Sequence, residues 1–252
     1  MIIIKDAEEL EYMRAAGRAT ARVCGEVVRN IVPGMTTKEI NDFAAQLMAD
    51  MGVKSAFLGY RGYPGTICVS VNEEVVHGLP GPRRICTGDI VSIDVGVEVD
   101  GFVGDMATTV AVGVSDVNVL RLLAVTEQAL RAGIANALAG RHLGDISHAV
   151  ETTAKSAGFS VVREFVGHGI GRRMHEEPQV PNFGRAGTGP QLRSGMTLAI
   201  EPMMNMGGAA VEVLNDGWTV VTQDRQPSAH FEHTVAVGEG KAEILTQWDG
   251  DI

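Results

Sequence analysis

Hydrophobic and polar positions alternate from Ile93 to Gly113, IDVGVEVDGFVGDMATTVAVG, with the period of two expected of half-buried strands. Asp100-Gly101 interrupts the run. Asp-Gly is the dipeptide that a two-residue hairpin turn of the primed type prefers, so the flanking segments are expected to pair antiparallel. That register sets Asp105 opposite Gly96 and Asp94 opposite Ala107, with the two acids on one face as diagonal neighbours, roughly 5–8 Å apart at Cβ. Ser92, Gly96 and Ala107 share that face and are small, while Ile93, Val95, Val97 and Val99 point away. The pattern predicts a hollow holding two carboxylates, where a core strand should carry none.

A second pattern is internal repetition. PGMTTKEINDFAAQLMADMGV (Pro33–Val53) aligns with AGRHLGDISHAVETTAKSAGF (Ala139–Phe159), Gly34 over Gly140 and Gly52 over Gly158, and both read as amphipathic helices ending at a glycine. TGDIVSID then aligns with SGMTLAIE, which brings Glu201 over Asp94. TVAVG occurs twice unchanged, at Thr109–Gly113 and Thr234–Gly238, each time ending a strand that contains an acid, Asp105 or Glu232. The expected architecture is a duplicated α+β unit, with halves of about 1–115 and 116–252 packed about a pseudo-twofold axis so that the four carboxylates converge. No Pro, Gly or Ser linker separates the halves, so 1–252 is read as a single domain.

Composition narrows the setting. The start, MIIIKDAEEL, lacks the basic and extended apolar regions of a signal peptide, and no run approaches the ~18 apolar residues of a membrane span. A soluble, cytoplasmic protein is expected. Cys24, Cys68 and Cys86 form no C-x-x-C pair, which argues against a disulfide framework or a structural zinc site. The net charge of −10, without a Lys/Arg run, disfavours a nucleic-acid binder. Part of that negative charge can belong to a cation site.

His168 supplies a further donor. It sits in Gly167-His168-Gly169-Ile170-Gly171, where the glycines are expected to let the backbone bend tightly and bring the imidazole close to other groups. A phosphate-cradling loop is the rival reading, but no helix-forming G-x-G-x-x-G context surrounds it. Two carboxylates held this close cannot both stay ionised cheaply without a cation. Four acids and a histidine exceed the needs of one small divalent ion and suit a two-metal site with bridging carboxylates. An oxygen-rich set of this kind favours Mn²⁺, Fe²⁺ or Co²⁺ over a thiolate-type zinc site.

Five motifs in order, SVNEEVVHGLP, IDVGVEVDGFVGD, GHGIGRRMHEEP, GMTLAIEP and FEHTVAVG, resemble those of the methionine aminopeptidases, metallopeptidases of the pita-bread fold, along essentially the whole chain. The span from Glu201 to Glu232 is too short for the helical insertion of type II members, and the first helix, KDAEELEYMRAAGRATARVCGEVV, begins almost at once, so the resemblance is to type I. It implies that Asp94 and Asp105 hold one divalent ion and that Asp105, His168, Glu201 and Glu232 hold the other, with Asp105 and Glu232 bridging. Zn²⁺ is also compatible. It further implies Glu201 as proton carrier for a metal-activated water, and His77 and His175 as unligated catalytic histidines that contact the substrate. Tyr60, Tyr63, Cys68 and Trp218 would wall a pocket for the methionine side chain. Arg61 departs from the His often found between these tyrosines, and Met174 from a common aromatic, which leaves the pocket rim open. The partners implied are nascent polypeptides beginning with Met, preferably with a small second residue, for a monomer with ribosome association open and neither nucleic acid nor membrane bound. A proline-specific aminopeptidase and a noncatalytic peptide-binding module on the same fold are the alternatives.

Overall fold

The structure, a computed structural model, describes residues 1–248. Helices α1 (Ala7–Arg29), α2 (Thr37–Met51), α3 (Val117–Ile134) and α4 (Leu143–Ser156) pack on a nine-stranded sheet. Local chemistry sets the helix ends. Asp6 accepts from the Glu9 amide at 2.9 Å, and the Glu39 carboxylate accepts from the Thr36 amide at 2.7 Å, each within a capping box that satisfies orphan N–H groups. α2 stops at Gly52, whose φ of 68° is the left-handed conformation of a helix C-terminus.

The main path of the sheet runs Lys54–Ser55, Asp89–Val99, Phe102–Val112, Glu232–Ala236, Thr197–Ile200, Gly167–Gly169, Glu176–Val180, and every pairing along it is antiparallel. The hairpin register is the expected one, with Gly96 facing Asp105 and Asp94 facing Ala107. Asp100 and Gly101 both have positive φ, 51° and 76°, as the type I′ turn requires. One face of the sheet is sealed by helices. Ile93, Val95 and Val97 pack with Val23 and Val27 of α1 and Ile40 of α2, while Leu198, Ile200 and Val235 pack with Ile134 of α3 and Ile146 of α4. Burying each such side chain is worth about 1.5–3 kcal/mol, enough to hold the alternation in register and turn the acids to the opposite face.

The two halves meet where Ala107 faces Glu232. Aligning the TVAVG copies lays Thr234 over Thr109 and therefore Glu232 over Ala107, so the pseudo-twofold axis passes between these two residues. Ser92 faces Thr109 in one half and Ala199 faces Thr234 in the other, the same relation twice. The halves differ in their connection. A two-residue turn joins the first pair of strands, whereas in the second half the chain between Ile200 and Glu232 forms four short strands, Met203–Asn205, Val211–Val213, Val220–Thr222 and Ser228–His230. Val220–Thr222 pairs with Glu74–Val76, which brings Trp218 and His77 to the same edge of the hollow, their rings 6.4 Å apart.

The GHGIG segment corrects one expectation. Gly167–Gly169 is an extended strand and none of its glycines has positive φ. Their use is close approach: a Cβ on Gly167 would sit 2.4 Å from the Ala199 carbonyl oxygen, and one on Gly169 would sit 2.1 Å from that of Glu177.

Candidate metal centre and active site

Five neighbouring strands each deliver one donor to the open face of the sheet. Asp94, Asp105, Glu232 and His168 lie on strands, and Glu201 follows Thr197–Ile200 directly. Donor atoms of Asp105, His168 and Glu232 lie within 4.8 Å of one another. His168 Nε2 is 3.6 Å from Asp105 Oδ2 and 3.6 Å from Glu201 Oε1. The His168 Nδ1 lies 2.9 Å from the Gly169 carbonyl, a contact that puts the ring hydrogen on Nδ1 and leaves the Nε2 lone pair toward the acids.

The electrostatics of this cluster fit a divalent cation. Asp94 Oδ1, Asp105 Oδ1 and Glu232 Oε1 are buried without a hydrogen-bond partner among the described residues. Burial, reinforced by the neighbouring acids, pushes Asp94, Glu201 and Glu232 well above the usual carboxylate range. Burial likewise raises Asp105 to about 8 and lowers His168 to about 4. Converging carboxylates that would have to hold protons, beside a neutral imidazole, form an oxygen-rich donor set for metal ions, and the missing hydrogen-bond partners are what bound cations would replace.

A cavity of about 150 Å³ adjoins the acids. Tyr63 donates to the Gly78 carbonyl at 3.0 Å and meets the Trp218 ring edge-on at 5.1 Å. Cys68 faces Asp94 in the sheet, and burial pushes its thiol well above the ordinary value, so it lines the wall as an apolar group. Phe57 occupies the space that a side chain at Gly96 would need, with its ring 2.5 Å from the Cβ position. At the mouth the Tyr60 hydroxyl is 2.9 Å from His175 Nδ1, and the His175 ring is 4.3 Å from that of His168. His77 has φ of 60° and packs its ring against Phe165 at 5.5 Å, a strained backbone of the kind that clusters at functional sites. Burial lowers both His77 and His175 to about 4. Met174 is buried in the wall, and Arg61, also at positive φ, is exposed at the rim. All eleven side chains expected from the sequence thus meet around one hollow.

The family model described as "Metallopeptidase family M24" matches residues 11–239. The chain is 48% identical over 247 residues to methionine aminopeptidase 1 of Bacillus subtilis, covering 98% of this chain and 100% of that one. The chain belongs to metallopeptidase family M24, among the methionine aminopeptidases. A crystal structure of the methionine aminopeptidase from Thermotoga maritima matches with a TM-score of 0.96 at 49% identity, over 98% of this chain and 100% of that chain. Prolidase from Pyrococcus furiosus matches with a TM-score of 0.81 at 22% identity, over 98% of this chain and 66% of that chain, a likeness of fold alone.

One polar residue of this M24 site escaped the sequence reading. His230 is buried, and its Nε2 lies 3.8 Å from Glu201 Oε2 and 4.0 Å from Glu232 Oε2. The signal was present in the repeat: aligning the TVAVG copies lays His230, not Glu232, over Asp105. The structure repeats the same device at both places. The Thr234 hydroxyl accepts from the Asp105 amide at 3.0 Å and donates to its carbonyl at 2.8 Å. The Thr109 hydroxyl accepts from the His230 amide at 2.9 Å and donates to its carbonyl at 2.8 Å.

Proposed function

We propose that this chain removes the N-terminal methionine from polypeptides whose second residue is small, with two divalent cations held by Asp94, Asp105, His168, Glu201 and Glu232. The observation that carries the reading is the convergence of five donors, three with orphaned carboxylate oxygens, beside a cavity of about 150 Å³ walled by Tyr60, Tyr63, Cys68 and Trp218. Asp94 and Asp105 would hold one ion, and His168 and Glu201 the other, with Asp105 and Glu232 shared. Mn²⁺, Fe²⁺ or Co²⁺ suit the oxygen-rich set, and Zn²⁺ is compatible. Bound there, such ions supply Lewis acidity and a water acidic enough to serve as nucleophile near neutral pH.

The chain's own groups do the rest. Glu201 takes the proton from the attacking water and passes it to the leaving amine. His77 and His175, neutral at pH 7, donate hydrogen bonds to the oxyanion of the tetrahedral intermediate. A Tyr60 hydroxyl donating to His175 Nδ1 leaves the ring hydrogen on Nε2, available to substrate. The aromatic walls and the Cys68 thiol accept a flexible thioether, while the histidines at the mouth crowd a large second side chain. Nascent chains beginning with Met are the partners, met in the cytoplasm by a monomer that can work at the ribosome. Residues 1–252 act as one catalytic domain.

The test compares Met-Ala-Ser, Met-Lys-Ser, acetyl-Met-Ala-Ser and Ala-Pro peptides under identical metal loading, with release followed by mass spectrometry. Cleavage of Met-Ala-Ser alone is expected, and discrimination should appear in kcat/KM because it arises from exclusion in the transition state. Comparable cleavage of all the Met peptides, or preference for Ala-Pro, would overturn the reading. Titrating the metal-stripped protein with each cation identifies the active metal.

A further inference from the structure

The Glu201 carboxylate is bracketed by two imidazoles, with Oε1 3.6 Å from His168 Nε2 and Oε2 3.8 Å from His230 Nε2. His230 is 2% exposed, and its Nε2 has no hydrogen-bond partner among the described residues. A buried nitrogen left without a partner is costly, so its retention calls for a reason. Its backbone is also fixed with unusual thoroughness. Thr109 holds both its amide and its carbonyl, and the Ser92 hydroxyl lies 2.8 Å from the Thr109 oxygen. His230 is moreover the pseudo-twofold counterpart of Asp105 and is gripped in the same way, so the fold aims both side chains into the site.

We propose that His230 is a positioning residue whose Nε2–H donates to the Glu201 carboxylate and holds it in the orientation that carries the proton. The inference rests on the proposed role of Glu201. A hydrogen on Nε2 is the complement of the two carboxylates it faces, whereas a lone pair there would meet only lone pairs. The distance of 3.8 Å is long for a hydrogen bond, but catalytic hydrogen bonds in a free enzyme are often long and tighten in the complex. A role as a metal ligand is the competing assignment, and metal content separates the two.

Two substitutions separate these roles, because a Gln side chain can place an N–H near the position of His Nε2 while Asn reaches only as far as Nδ1. H230N and H230Q are compared with wild type for kcat and KM, for metal content by elemental analysis, and for the visible spectrum of the Co²⁺-loaded protein. H230N is expected to keep two metal equivalents and an unchanged KM, to lose roughly 10–100-fold in kcat, and to shift the Co²⁺ bands as Glu201 reorients. H230Q is expected to recover most of kcat and the wild-type spectrum. Wild-type kcat in H230N, failure of H230Q to rescue, or loss of a metal equivalent in H230N would each overturn the proposal, the last by making His230 a ligand. Glu201→Gln is assayed alongside: normal turnover there would refute the role of Glu201 itself, while its loss beside an unaffected H230N would refute only the role of His230.

Discussion

His77 separates binding of the metals from use of the substrate. It packs against Phe165 and Trp218, it lines the cavity, and it lies outside the donor cluster of Asp105, His168 and Glu232. His77→Ala is therefore expected to leave the metal content measured after gel filtration unchanged while turnover falls by about 10²-fold, the lower range for loss of one oxyanion donor. Parallel loss of metal and turnover would make it a ligand instead. Asp94 and Asp105 are legible in the sequence because an acid in a core strand breaks a local rule, and Glu201 and Glu232 because the repeat brings them to matching places, whereas His77 is marked only by the resemblance of SVNEEVVHGLP. His230 is less legible, because a histidine among Ser228, Ala229 and Phe231 breaks no such rule. Only its place in the repeat marks it, and pairing Asp105 with the other acid, Glu232, hid that place.

At the scale of elements, the hairpin and the helices could be read closely because their determinants are local. Asp100-Gly101 sets the turn, two-residue alternation sets the faces, and Gly52 ends α2. The four short strands between Ile200 and Glu232 had no such determinants, since each is three residues long and is defined by partners distant in sequence, as Val220–Thr222 is by Glu74–Val76. The glycines around His168 stand out in the sequence, but their use, close approach to the Ala199 and Glu177 carbonyls, is a tertiary fact that a single strand does not display. The seam between halves depends on Thr234, whose buried hydroxyl ties Asp105 across strands. Thr234→Val keeps the shape and removes both hydrogen bonds. It should cost about 1–3 kcal/mol, read as a fall of several degrees in Tm, and should weaken metal affinity because Asp105 loses its anchor. A normal Tm and a normal metal titration would show that the strand pairing alone holds Asp105.

For the whole molecule, the site sets a balance between protons and metal. In the window from pH 6.5 to 8, His77, His168, His175, His230 and His233, all lowered well below 6.5 by burial, are neutral in the folded state but half protonated at pH 6.5 in the unfolded state, so each raises stability by about 0.4 kcal/mol across the window and opposes the acids. The acids behave otherwise. Unfolded Asp and Glu have lost their protons by pH 6.5, with ordinary values of 3.8 and 4.5, while burial keeps Asp105 protonated up to about 8 and Asp94, Glu201 and Glu232 raised well above their ordinary values. The folded state then binds more protons than the unfolded one, so the stability of the metal-stripped protein should fall as pH rises through this window. One such carboxyl contributes up to about 2 kcal/mol over 1.5 pH units, or roughly 4–8 °C in Tm for a chain of this size. A divalent cation takes over the charge that the protons were suppressing. With saturating Mn²⁺ the slope should flatten, and the gain in Tm from metal should be larger at pH 8 than at pH 6.5. Differential scanning calorimetry of stripped and loaded protein at both pH values checks this. A stripped protein whose Tm rises toward pH 8 would mean that the acids are ionised without a cation, and the electrostatic case for a metal centre at Asp94, Asp105, Glu201 and Glu232 would fall with it.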